Sequence, residues 1–360
     1  MKNFSLAGLA ALGMTLLAGA ATPYRWDLPR GFPAPRVPAD NPMSVAKVEL
    51  GRYLFYDKRL SINGTMSCAS CHRQESAFDD NSDRPMGATG QSLARSSMSL
   101  VNVAYSAVLT WSRPHVRSLE QQVLTPLTSE KPVELGFSGT RAAFLRTLTA
   151  EPKYRSLFPP AFPGENNPFT VQNVAKAIAA FERSIVSARS PYDRYRGGEQ
   201  NAISDAAKRG EVLFFTDSLG ACYRCHGGFN FSDAVDYAGR APAPVEFHND
   251  GLYNLPGPFS YPAPNLGIFE FTRKPEDVGK FKAPTLRNIA LTAPYMHDGS
   301  LPTLEAVVDH YATGGHHNPN QDKRVRELQL TRQNRQDLVA FLQSLTDEEL
   351  TRDPRFSDPW

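Results

Sequence analysis

Two short stretches decide how this chain folds: Cys68-Ala-Ser-Cys-His72 and Cys222-Tyr-Arg-Cys-His226. Each is Cys-x-x-Cys followed at once by His, and together they use all four cysteines of the 360 residues. In an exported chain the default for four cysteines is two disulfides. Zinc ribbons also use cysteine pairs, but those pairs lie about 15–20 residues apart. Here the whole stretch from His72 to Ala221 separates them. Cys-x-x-Cys-His is the pattern of c-type haem attachment: both thiols add to the haem vinyl groups, and the adjoining His reaches the iron. The two motifs therefore predict two covalently bound c-type haems, one on Cys68, Cys71 and His72, the other on Cys222, Cys225 and His226.

Each motif is preceded by a similar run. Val48-Glu-Leu-Gly-Arg-Tyr-Leu-Phe-Tyr-Asp57 leads to the first, and Lys208-Arg-Gly-Glu-Val-Leu-Phe-Phe-Thr-Asp217 to the second. Both read as a Gly, apolar residues at helical spacing, then Asp, so each is expected to be a short helix feeding a haem loop. A repeated haem-binding unit implies two similar domains. Helical periodicity also marks 117–124, 171–188, 304–310 and 334–345, while little of the chain alternates as a strand would. The longest of these helices runs toward Arg196-Gly-Gly198, which reads as the hinge. The expectation is a mainly α fold: two cytochrome c-like haem domains, 22–198 and 199–360, with long irregular loops. The 29 prolines and 25 glycines, dense between Ala241 and Pro264, account for those loops.

The N-terminus begins Met1-Lys2 and continues into an apolar run, Leu6 to Ala21, that ends in small residues. That is the pattern of a secretory signal peptide over 1–21, which places the mature protein in the periplasm. No later stretch is apolar enough to span a bilayer. The net charge of +2, with no basic stripe, gives no reason to expect a nucleic-acid partner.

An iron with one protein ligand can bind peroxide, whereas an iron with two is suited to electron transfer or to storing an oxidising equivalent. On the first haem's free side the candidates are His115, Met66, Met86 and Met98, and the loop 87–97 contains no His. The first haem is therefore expected to be five-coordinate. Peroxide chemistry also needs a group that moves a proton between the two oxygens. Glu134, in Pro132-Val-Glu-Leu-Gly136, is the best candidate, and Gln121 is a second. For the second haem, Met296, His297, His310, Tyr311, His316 and His317 all offer ligands, and residue chemistry alone does not choose among them.

These motifs resemble the di-haem cytochrome c peroxidase and MauG superfamily over nearly the whole mature length. The resemblance rests on both haem motifs, Trp111 with Leu119-Glu-Gln-Gln122, Pro132-Val-Glu-Leu-Gly136, and the block from Phe281 to Tyr311. Trp26-Asp-Leu-Pro-Arg-Gly-Phe-Pro33, the run Arg95 to Tyr105, Gly227-Gly-Phe-Asn-Phe231 and the run Phe247 to Asn254 are most similar to the MbnH-like branch. What that resemblance implies is an exported enzyme that uses hydrogen peroxide to reach a high-valent, bis-Fe(IV)-like state. It would then oxidise a tryptophan of a small exported copper-binding (MbnP-like) partner to kynurenine. The alternative within the superfamily is a peroxidase that reduces peroxide with electrons from a small cytochrome.

By position, the resemblance makes Tyr311, seventeen residues after Pro294, the sixth ligand of the second haem. Ordinary di-haem peroxidases have Met there. It makes Trp111 the aromatic between the haems, and Gln121 and Glu134 the distal pair. It also implies a calcium ion between the haems on the backbone carbonyls of Thr292 and Pro294, with Ser96 where the family has Asn. MauG has a tryptophan two residues before its second haem motif; this chain has Gly220.

Overall fold

A computed structural model describes residues 22–360 apart from 30 and 138–140. The expected signal peptide lies outside the described residues. In the N-terminal half, α1 (Val45–Tyr56) starts at Ser44, whose hydroxyl accepts from the Lys47 amide. Next, α2 (Cys68–Cys71) is the first haem motif wound as a single turn. Then come α3 (Leu119–Thr128), α4 (Arg141–Ala150), α5 (Pro152–Ala161) and the long α6 (Val171–Ser184). The C-terminal half contains α7 (Pro191–Arg196), α8 (Asp205–Phe215), the one-turn α9 (Phe269–Thr272), α10 (Leu304–Ala312) and α11 (Arg332–Gln343). Ser and Thr caps at Thr170, Ser204, Thr303 and Thr331 start α6, α8, α10 and α11 by accepting an amide of the first turn. Among the described residues only isolated β-bridges occur, so the fold is mainly α, as expected.

The glycine of each repeated run has a packing reason. A Cβ on Gly51 would lie 1.9 Å from the Ala177 carbonyl oxygen and 2.8 Å from Phe181 Cβ. One on Gly210 would lie 2.0 Å from the Asp337 oxygen and 2.7 Å from Phe341 Cβ. In both halves, then, the helix before the haem motif crosses a second helix backbone against backbone: α1 on α6, and α8 on α11. Only glycine permits that approach.

A second repeat is visible only in three dimensions. Asn102 and Asn288 both adopt left-handed backbone angles, φ 57° and 60°, and each starts a 3-10 turn, Val103–Tyr105 and Ile289–Leu291. The Asn102 amide donates to the Ile185 carbonyl just past α6, and the Asn288 amide to the Leu345 carbonyl just past α11. Their side chains meet at the seam between the halves. Asn102 Nδ2 donates to the Ser187 carbonyl (2.9 Å) and Asn288 Nδ2 to the Ser187 hydroxyl (2.9 Å), which in turn donates to Asp347 (3.1 Å).

The cores do not divide at a single point near residue 198. Ile185 closes the N-terminal core, and Tyr192 already belongs to the C-terminal one, its ring 5.3 Å from that of Phe341. The last residues then return: Leu350 and Phe356 are buried in the N-terminal core, and the Trp360 ring stands edge-on to Tyr53 at 5.0 Å. The tail is tied there by Gln74, which donates to the Leu350 and Asp353 carbonyls, and by the Tyr56 hydroxyl, which donates to that of Phe356. The expected 199–360 unit therefore gives its end to the other domain.

Candidate haem and peroxide site

Both motifs open into one continuous cavity of about 490 Å³. In each, the His amide donates to the first Cys carbonyl (His72 to Cys68, 3.0 Å; His226 to Cys222, 2.9 Å), which folds the imidazole back beside the thiols. His72 Nδ1 lies 2.9 Å from the Phe78 carbonyl oxygen. His226 Nδ1 lies 3.1 Å from that of Pro284. A carbonyl only accepts, so Nδ1 carries the proton and Nε2 presents its lone pair to the cavity, the tautomer an iron requires. All four cysteines are free of disulfides. Burial pushes the thiols of Cys71, Cys222 and Cys225 up to about 12, and that of Cys68 higher still, so none is a thiolate. Paired free thiols beside an imidazole that presents Nε2, in a large and largely apolar hollow, fit covalent haem. Arg95, Arg113, Lys282, Arg324 and Arg326 also line the hollow, where a haem's carboxylates need partners.

At the N-terminal end Glu134 lines the cavity. Its carboxyl is pushed up by burial, against the opposing pull of Arg113. The Glu134 carbonyl accepts from the Ala88 amide (2.7 Å), and the next residue, Leu135, donates to the Pro126 carbonyl (2.9 Å), so α3 and the 85–93 loop fix its position. Gln121 is a correction: it is exposed and does not line the cavity, whereas Gln122 does. The periodicity of α3 explains this. Leu119, Gln122, Val123 and Pro126 share one face at i, i+3, i+4, i+7, and Gln121 falls on another. His115 is exposed, stands edge-on to Phe271 (5.4 Å between centroids) and does not line the cavity. Met66, Met86 and Met98 line it.

At the C-terminal end Met296, His297 and Tyr311 line the cavity, whereas His310, His316 and His317 do not. His310 Nε2 is taken by the Asp250 carbonyl (3.0 Å) and His317 Nδ1 by Gln321 (3.0 Å). His297 is stacked on Phe281 (3.7 Å between centroids). Met296 carries its carbonyl to the Ser96 hydroxyl (3.1 Å). Tyr311, on α10, is the phenol in the field of Cys222 and Cys225; burial, and then Asp250, raise it well above its ordinary value. No hydrogen bond to its hydroxyl forms among the described residues.

Trp111 lines the cavity where the halves meet. Its Nε1 donates to the Ser96 carbonyl (3.0 Å), and its own carbonyl accepts from Lys282 of the other half (2.9 Å). Thr292 and Pro294 line the same stretch. The Ser96 hydroxyl is spent on Met296, and Asn81 Nδ2 donates to the adjoining carbonyls of Leu291 (2.7 Å) and Ala293 (3.0 Å). A residue at 220 has no room for a side chain, since a Cβ would lie 2.6 Å from the Leu213 oxygen.

Two neutral-imidazole, double-thiol sites sharing one cavity define a di-haem c-type cytochrome. The particular family follows from comparison with known proteins. Residues 45–201 match the family described as di-haem cytochrome c peroxidase, and 280–312 a RoxA-like, cytochrome c-like family. The chain is 35% identical to the methylamine utilization protein MauG of Methylorubrum extorquens, covering 91% of this chain and 85% of that one. It is 34% identical to cytochrome-c peroxidase IdrP1 of Pseudomonas sp. strain SCT, covering 95% and 91%. A solved MauG-like protein associated with microbial copper homeostasis superposes with a TM-score of 0.90 at 44% identity, covering 94% of this chain and 99% of that one. The chain belongs to the di-haem cytochrome c peroxidase and MauG family. It is a di-haem peroxidase-type oxidoreductase carrying two covalently bound c-type haems. Among the described residues no helix is long and apolar enough to cross a membrane.

Proposed function

We propose that this enzyme uses hydrogen peroxide, in the periplasm, to oxidise a tryptophan of a small exported copper-binding protein to kynurenine. The observation that carries the reading is Tyr311: the side chain turned to the second haem site is a phenol with no competing partner, where a thioether would suit simple electron uptake. The likeness to a protein associated with copper homeostasis supports the choice of partner, and the apolar leader supports export.

When bound, the haems supply the redox centres that accept oxidising equivalents from peroxide. Glu134 takes the proton from the incoming peroxide oxygen and returns it to the departing one, while the Gln122 amide orients the molecule. Trp111 is the aromatic bridge between the two ends of the cavity. Tyr311 would hold the second haem iron, which would draw off the phenol proton, and the resulting phenolate would favour the more oxidised state of that centre. The partner is then oxidised without touching peroxide. Two peroxides balance the reaction: two oxygen atoms enter the indole ring as two waters leave, and hydrolysis of the formyl group gives kynurenine and formate.

The test is mass spectrometry of a small exported copper-binding protein after incubation with enzyme and peroxide. Conversion of one tryptophan to kynurenine is expected. An unmodified partner, together with rapid peroxide-dependent oxidation of a reduced small cytochrome, would give the peroxidase reading instead.

A further inference from the structure

One buried acid has no part in that chemistry. Glu182, near the end of α6, is 4% exposed and lines the N-terminal end of the haem cavity. Its carboxylate accepts no hydrogen bond among the described residues, and Oε2 is sealed from solvent without a partner. The internal repeat shows that the scaffold does not require an acid there. Phe181 and Phe341 occupy equivalent places over Gly51 and Gly210, so one residue on, Glu182 corresponds to Leu342. Leu342 lines the cavity at the second motif and does the packing without a charge.

An unpaired carboxylate with one oxygen sealed from water is costly, so the group stays neutral until something nearby favours its charge. The groups that face it can be named. From its own helix comes Arg183, whose guanidinium is already bonded to Glu120 Oε1 (2.8 Å). From α3 comes Glu120, whose Oε2 is also buried without a partner. From α2 comes Cys68, whose sulfur feels the Glu182 charge directly. On α1, Lys47 is spent on Asn41 Oδ1 (3.0 Å) and the Pro42 carbonyl (2.9 Å). The Val103–Tyr105 turn offers only the Tyr105 hydroxyl, which donates to Pro33. Burial raises the Glu182 carboxyl to about 8, with Arg183 opposing and Glu120 adding to the rise. What is missing is a positive charge that comes and goes. Cys68 is where the haem joins the chain, and a unit of charge at the haem acts through a low-dielectric interior.

We propose that Glu182 is the redox-linked proton site of the N-terminal haem: it releases one proton when that haem gives up one electron and takes one back when the electron returns. The coupling follows from linkage. With the haem reduced, the carboxyl keeps its proton to higher pH; with it oxidised, the added positive charge lowers the proton affinity. Between those two values the haem potential must fall as pH rises.

The experiment is a spectroelectrochemical titration of the N-terminal haem in the holoenzyme across ~pH 5 to 10, the span over which a raised carboxyl would titrate. The electrode serves as oxidant and reductant, and wild type is compared with E182Q and E182L. In wild type the equilibrium should shift up to tenfold per pH unit, about 59 mV for one electron. Haem carboxylates titrate alike in all three proteins, so the difference between them isolates Glu182. Both variants should lose that part of the slope, and E182Q should hold the potential wild type shows at low pH. Redox-difference infrared spectra should show the carbonyl band of a protonated carboxyl lost on oxidation in wild type and absent in E182Q. E120Q, which removes a negative neighbour and frees Arg183, should move the pH window downward. Identical slopes in wild type and E182Q, a carboxyl band indifferent to oxidation, or a window unmoved in E120Q would each overturn the proposal.

Discussion

Gly51 and Gly210 lie against equivalent backbone carbonyls, and Asn102 and Asn288 turn the chain in the same way, yet the walls they place before His72 and His226 differ in kind. The N-terminal wall carries three acids, Asp79, Glu134 and Glu182, and the amide of Gln122, and among the described residues no histidine but His72. The C-terminal wall puts a phenol, Tyr311, in the field of the haem cysteines and a leucine where the first has Glu182. The difference teaches that the scaffold fixes where two haems sit, while a few wall residues decide what each does. Glu134 and Glu182 stand at one end, and a phenol stands at the other.

The largest effect should come from removing the acid. E134Q should slow the reaction with peroxide by roughly 10²- to 10⁴-fold, the usual worth of a positioned acid–base group, as read by stopped-flow absorbance. The pH profile should change with it. Glu134 accepts a proton only when ionised, and its carboxyl is raised by burial. The wild-type rate should therefore climb with pH above the ordinary carboxyl range and fall away below it, while E134Q should lose that limb.

Trp111→Phe tests the bridge between the two ends. Peroxide should still react at the first, but partner oxidation should drop on the order of tenfold or more, a barrier increase of about 1.4 kcal/mol per decade. Undiminished kynurenine yield would favour direct chemistry at a single open site.

Gln122→Ala and Gln121→Ala sharpen the smallest distinction. The first should slow the peroxide step by roughly tenfold, as loss of one neutral hydrogen bond would. The second, at an exposed position, should leave the rate within twofold by the same argument for solvated amides. The reverse result would move the pocket wall to the other face of α3.

The haem motifs were legible because their chemistry is local: five residues suffice. So were α1, α6, α8, α10 and α11, whose apolar faces repeat within a dozen residues. The helix α5 was not, because Pro159 and Pro160 lie inside it and read as breakers. Motif matching favours Gln121 over Gln122, whereas the helical face set by Leu119, Val123 and Leu127 points to Gln122. The return of Leu350, Phe356 and Trp360 to the first domain leaves no local pattern at all, since their partners lie some 300 residues back, as with Tyr53 and Trp360. Asn102 and Asn288 share only Leu-x-Asn-x-Ala, and their common role emerges only when both reach Ser187. In the sequence nothing sets Glu182 apart from other helix-end charges; its burial does.

The claim that the two haems are differently ligated is tested most directly by electron paramagnetic resonance of the as-isolated, fully oxidised protein beside Tyr311→Phe. One high-spin and one low-spin iron are expected in wild type, with loss of the low-spin signal in the variant, because Tyr311 is then gone from the second site. Two low-spin irons in wild type, or a low-spin signal unchanged in Tyr311→Phe, would contradict it and pass the ligand's role to Met296 or His297.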